Sequence, residues 1–299
     1  MWNATLTKMR SSSVIHIWRV YASCALFSLL LLSLLTQIFA HEDILHDPSI
    51  NYLNQATYGT DLASFPTHHA SISPHSPFYP SRQQFYDSYV EGCRSFHVST
   101  AQHESCNENE ATRIEMNTVQ PPGMWNYTDM GFRLVKLPKD VMDVLNKFWR
   151  ENHGKEKEEE WFVGNTYTNH WESPSMMLDV NDKYLEGGGE ALTNLIWDTA
   201  HGALEEWTGQ ELGRTGLYGI RIYTDKAVLA PHVDRMPLVT SAVINVAQDV
   251  DEEWPMELWG HDGKAYNITM EVGDMLMYES HSVIHGRPWP MKGRYFANL

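Results

Sequence analysis

Pro231-His232-Val233-Asp234 carries an imidazole and a carboxylate two residues apart. On extended backbone the side chains at i and i+2 share a face, so His232 and Asp234 can reach one metal ion together. A third ligand has to come from elsewhere in the chain. His285 closes a later stretch that reads as a strand, and His281, four residues earlier, is the competing candidate. Arg294 follows His285 by nine residues, across a turn that holds Pro288, Pro290 and Gly293. From a neighbouring strand its guanidinium can grip a carboxylate through two parallel hydrogen bonds. Tyr223 precedes His232 by nine residues and can offer its phenol hydroxyl to the same group.

Two imidazoles and one carboxylate on one face of an ion leave the opposite positions open, as non-haem Fe(II) oxygenases require for a co-substrate and dioxygen. The set Tyr223, His232-x-Asp234, Gly273-Asp274, His285 and Arg294 resembles the prolyl 4-hydroxylase-type 2-oxoglutarate/Fe(II) dioxygenases. The resemblance is closest from about residue 210 onward and extends to the lead-in from about 131. It implies a double-stranded β-helix, with His232, Asp234 and His285 as iron ligands and catalytic centre. It implies that Arg294 binds the distal carboxylate of 2-oxoglutarate with Tyr223 as helper. The spacing to Arg294 favours His285 over His281. Fe(II), 2-oxoglutarate and dioxygen are the implied requirements, with ascorbate as an accessory. The implied activity is hydroxylation of peptidyl proline; a glycan, lipid or other small molecule is the alternative substrate. A non-catalytic jelly roll that binds metal or glycan is the reading of another class, and it leaves Arg294 and Tyr223 without a purpose. The last strand of such a barrel runs further than this chain does after Arg294, which suggests a shortened C-terminus.

The elements that must position these residues are expected from about Gly131. Phe132 to Leu137 alternates like a strand, and Pro138 suits the first turn of a helix. Val141, Val144, Leu145, Phe148 and Trp149 then fall on one helical face. A second helix should run from Gly189 to about Trp207, with Leu192, Leu195, Ile196, Ala203 and Trp207 on its period. Lys155 to Glu160 is a charge run that reads as a solvated loop, and Arg287 and Lys292 read as surface charges of a turn. Short strands are expected near 217–224, 227–231, 239–247, 256–260, 265–271, 273–279, 282–286 and 293–298. Asp262-Gly263 marks a hairpin turn. Helices followed by many short strands predict an α+β fold, a double-sheet jelly roll with supporting N-terminal helices.

The rest of the chain reads as an address and a tether. Residues 1–19 hold Lys8, Arg10 and Arg19 and are expected to form a cytoplasmic tail. The apolar run 20–40 that follows is long enough to span a bilayer, and the preceding positive charge favours a type II signal-anchor with a lumenal remainder. Ile38-Phe39-Ala40 offers an alternative cleavage site that would release a secreted protein. Either outcome predicts the secretory pathway, with the ER or Golgi lumen as location. The sequons at Asn126 and Asn267 agree with that. Residues 41–130 are rich in Ser, His, Pro and Asn without sustained periodicity, and predict a polar, largely disordered stalk before a catalytic domain at 131–299. Cys93 and Cys106 lie thirteen apart and can either pair or stay free. With 22 Lys and Arg against 38 Asp and Glu, the net charge is −16, which repels phosphate backbones and argues against nucleic-acid binding.

Overall fold

Between Gly219 and Leu299, short alternating runs cut by glycine, proline and aspartate become strands, because one face of each run can be buried. The computed structural model describes residues 50–52, 65 and 80–299, which belong to one unit, Ser49–Leu299. Its strands are β1 (Ile50–Tyr52), β2 (Phe132–Lys136), β3 (Lys157–Glu158), β4 (Met176–Leu178), β5 (Ile220–Tyr223), β6 (Leu229–His232), β7 (Ser241–Val250), β8 (Met256–Trp259), β9 (Ala265–Ile268), β10 (Asp274–Tyr278), β11 (His285–Arg287) and β12 (Gly293–Asn298). Its helices are α1 (Pro80–Phe96), α2 (Thr100–Val119), α3 (Lys139–Asn152) and α4 (Glu190–Thr208). The strands form two antiparallel sheets, ordered β1-β9-β8-β11-β6 and β2-β10-β7-β12-β5-β4-β3.

The seven-stranded sheet uses its two faces differently. On β5, Ile220 and Ile222 join Ile244, Val246, Met275, Met277 and Ala297 beneath α3 and α4. The α3 residues Leu145, Phe148 and Trp149 and the α4 residues Leu192 and Ile196 complete that core. Each such side chain, fully buried, contributes about 1.5–3 kcal/mol. Tyr223 and Phe296 belong to the opposite face and meet Trp254 edge-on at 5.1 and 5.5 Å. Phe132 on β2 meets Tyr266 on β9 at 5.1 Å. The two sheets thus pack face to face through aromatic side chains.

Two expectations need correction. A disordered stalk over 41–130 does not describe 80–119, where α1 and α2 form. Ser99 caps α2, accepting from the Gln102 amide while the Gln102 side chain accepts from the Ser99 amide, a reciprocal pair that satisfies two otherwise free donors. A disulfide between Cys93 and Cys106, Cα atoms 6.1 Å apart, ties α1 to α2. The buried face of α2 is Cys106, Glu110, Arg113 and Asn117, polar rather than apolar, so a search for hydrophobic periodicity passes over it. The second correction concerns the membrane. Among the described residues no helix is long and apolar enough to cross one. The transmembrane, signal-anchor and lumen-facing assignments therefore have no such helix to rest on among these residues, and the run 20–40 that suggested them lies outside them.

Candidate metal centre

Antiparallel pairing of β11 with β6 sets His285 directly opposite His232. Their rings lie 4.4 Å apart. Gly286 permits this approach, since a Cβ there would stand 2.7 Å from Pro231 Cα and 2.8 Å from the Leu229 carbonyl oxygen. Asp234 Oδ1 lies 3.8 Å from His232 Nε2 and 3.9 Å from His285 Nε2. One ligand atom from each of the three residues falls within 4.8 Å of the others. A divalent ion fits such a cluster of two imidazole nitrogens and one carboxylate oxygen.

Hydrogen bonds at the far side of each ligand prepare it. His232 Nδ1 donates to the Ala230 carbonyl at 2.8 Å, and His285 Nδ1 to the Val283 carbonyl at 2.9 Å. Each bond fixes the tautomer that leaves the Nε2 lone pair facing Asp234. Burial, reinforced by the neighbouring His285, pushes His232 down to about 3. Burial likewise lowers His285. The other oxygen of Asp234, Oδ2, accepts from Ser241 Oγ at 3.0 Å, and that hydroxyl sits 2.9 Å from Ser280 Oγ.

The ligands face a cavity of about 500 Å³ between the sheets. Tyr223, Tyr278 and Arg287 line its inner wall; Trp161, Trp197 and Tyr218 line its outer reach. Arg287 is 1% exposed. Its guanidinium lies 4.6 Å from the Trp254 ring centroid and 4.4 Å from that of Phe296. It donates to the Trp254 carbonyl and approaches Met270 Sδ at 3.9 Å. Among the described residues no carboxylate pairs with it. Burial lowers it to about 10, while Tyr223 and Tyr278 act in the other direction, so it is charged at neutral pH. Burial raises the Tyr278 hydroxyl well above its usual range, and the Asp234 charge adds to that.

The structure brings Tyr223, His232, Asp234 and His285 together and leaves Arg294 out. The Arg294 side chain is 63% exposed, paired with Asp249 and, at 3.5 Å, with Asp251. It does not line the cavity, so its expected role as a carboxylate clamp is not met by this arrangement. Arg287, read from the sequence as a surface charge, is the buried cation instead. Its signal was position: it stands two residues beyond His285 and so shares that ligand's face of the strand. His281 is buried apart from the cluster, its Nδ1 on the Val239 carbonyl and its Nε2 on the Trp125 carbonyl, the first 2.5 Å and the second 2.9 Å away.

No protein family and no curated protein matches the sequence. Among solved structures, the chain is similar to a Pseudomonas putida prolyl-4-hydroxylase, with 15% identity, 61% of this chain and 96% of that one covered, and a TM-score of 0.39. It is similar to a prolyl hydroxylase from Trichoplax adhaerens, solved with a hypoxia inducible factor peptide fragment, at 8% identity, 68% and 93% coverage and a TM-score of 0.41. For OsALKBH1 the values are 16% identity, 58% and 99% coverage and a TM-score of 0.34.

Proposed function

We propose that this chain is an Fe(II)- and 2-oxoglutarate-dependent oxygenase on a double-stranded β-helix, hydroxylating a C–H bond of its substrate. The observation that carries the reading is Arg287, a buried guanidinium without a carboxylate partner among the described residues, on the strand and face that also present His285. A buried charge left unpaired is costly, and a site that binds a dicarboxylate gains by supplying the missing partner. A protein that only held a metal or a glycan would have no use for it.

In this reading His232, Asp234 and His285 hold the iron, whose bound form supplies the dioxygen chemistry. Arg287 anchors the distal carboxylate of 2-oxoglutarate by a charge-assisted pair, with Tyr223 and Tyr278 as phenol donors beside it. The paired sheets exclude water from that end. Ser241 holds the Asp234 carboxylate in one orientation. Peptidyl proline is the substrate favoured by the sequence resemblance, and the outer reach suits it: Trp161, Trp197 and Tyr218 offer apolar faces to a neutral ring, and Arg221 there is already neutralised by Glu159 at 2.8 Å.

The test is succinate release by the purified chain with Fe(II), 2-oxoglutarate and a panel of proline-rich peptides, with apolar small molecules run in parallel. The expected result is peptide-stimulated succinate that disappears in His232→Ala. Succinate release no greater than that of His232→Ala under every condition would sink the oxygenase reading; stimulation by the small molecules alone would sink the peptide.

A further inference from the structure

The metal-binding strand ends before its last ligand. β6 stops at His232, so Asp234 lies beyond the sheet's hydrogen-bond ladder. Its own amide donates to the Ser280 carbonyl at 2.8 Å. Two residues of α2, Arg113 and Asn117, and its C-cap residue Gln120 hold the rest of the segment. Arg113 Nη1 donates to the Pro231 carbonyl at 2.5 Å, and Asn117 Nδ2 donates to the same oxygen at 2.8 Å. Asn117 Oδ1 accepts from the Val233 amide at 3.0 Å. Gln120 Nε2 donates to the Asp234 carbonyl at 2.7 Å and to the His281 carbonyl at 2.9 Å.

Positions 113, 117 and 120 are spaced i, i+4 and i+7, so they form one stripe on the helix. Together they act on the backbone of both segments that bear ligands: Pro231 to Asp234, and the loop leading to His285. We infer that α2 is a structural part of the metal centre, with Asn117 and Gln120 as positioning residues that set the distance between Asp234 and the two imidazoles. The helix is itself held rigid. Arg113 is paired with Glu110, both fully buried, the Tyr86 hydroxyl of α1 donates to Glu110, and the disulfide closes the α1–α2 pair. The helix thus stands in for the missing sheet neighbour of residues 233 and 234.

This inference rests on the metal reading above, and Co(II) titration of the metal-free full chain separates the two. The probe is the visible absorption of bound Co(II), read beside the thermal midpoint of the apo protein. The variants are Gln120→Met, which keeps the length and removes both donors, and Asn117→Leu. Glu115→Gln, on the exposed side of α2, is the control. Gln120→Met should weaken Co(II) at least tenfold, equivalent to about 1.4 kcal/mol, and shift the absorption band, with the apo midpoint nearly unchanged. Asn117→Leu should weaken it further, and Glu115→Gln should match wild type. Wild-type affinity and spectrum in Gln120→Met would overturn the inference. So would losses of affinity that merely track the apo midpoint across the three variants. Wild-type protein that binds Co(II) no better than His232→Ala would overturn the metal reading itself.

Discussion

The Arg287 guanidinium lies 4.4 Å from the centroid of the Phe296 ring, while Arg294, two residues before Phe296 on β12, turns outward to Asp249. One arginine faces the cavity with no carboxylate partner among the described residues, and the other is neutralised in solvent. They should therefore answer differently to mutation. Arg287→Ala removes one member of a buried, charged pair with the co-substrate, a loss of about 2–5 kcal/mol. The 2-oxoglutarate requirement should rise well over tenfold, with Co(II) affinity almost unaltered. Arg294→Ala should leave both close to wild type. A 2-oxoglutarate titration of succinate release for the two variants decides between them; a large effect confined to Arg294 would reverse the assignment.

The metal ligands make a sharper set. Alanine at His232, Asp234 or His285 should each abolish Co(II) absorption. His281→Ala should keep it and instead cost about 1–3 kcal/mol of stability, because the part-buried carbonyls of Val239 and Trp125 lose their ring partner. Equilibrium denaturation beside metal titration separates these effects. Loss of Co(II) binding in His281→Ala with retention in His285→Ala would mean that the cluster has been drawn from the wrong histidine.

Gly286 offers a test that touches no ligand. Its added methyl in Gly286→Ala would meet backbone atoms of Leu229 and Pro231, which cannot swing aside as a side chain can. β11 should be pushed from β6, at about 1–3 kcal/mol of stability, and the two imidazoles with it. Reduced Co(II) affinity together with a lower midpoint is expected. An unchanged affinity would show that the ligand spacing does not depend on the contact of these strands.

Glu110 predicts a pH dependence. Burial alone would raise its carboxyl, but Arg113, by charge and hydrogen bond, together with the Tyr86 hydroxyl, overcomes that and lowers it from 4.5. A carboxylate with a depressed folded value contributes stability that is present above its unfolded value and lost as pH falls through the folded one. The thermal midpoint of wild type should therefore fall below about pH 4.5 more steeply than that of Glu110→Gln, which has no such proton to take up. At neutral pH the order reverses in severity, since the variant leaves Arg113 without its charged partner. Parallel curves for the two proteins would remove Glu110 from the acid response.

The C-terminal strands were legible because alternate side chains enter different environments on the two faces of a sheet. Ile220 and Ile222 against Arg221 and Tyr223 is an alternation that a sheet alone explains, and β5 forms where it predicts. The His232-x-Asp234 pair was legible for the same reason, although the strand ends between its members. The carboxylate clamp was not. Arg294 has the right spacing from His285, but its partner Asp249 comes from β7, and no local pattern reveals a contact across the sheet. Arg287, between Gly286 and Pro288, looks like a turn, and only the packing of Trp254 and Phe296 over it makes it an interior residue. Helix α2 escaped notice because its buried stripe is written in Glu110, Arg113 and Asn117 rather than in leucines.

The position of α2 bears on how the protein can be cut. Residues 131–299 contain every metal ligand and nearly all of both sheets, and look like a self-sufficient fragment for expression. Without α2 the carbonyls of Pro231 and Asp234 and the amide of Val233 would lose their side-chain partners, at about 1–3 kcal/mol for each group that stays buried. The requirement reaches further upstream. Phe65 is wholly buried, with the rings of Tyr86 and Tyr89 at 5.5 and 4.9 Å, and β1 pairs with β9. A recombinant piece that keeps these contacts therefore begins before Ile50, some eighty residues ahead of the boundary that composition alone would suggest.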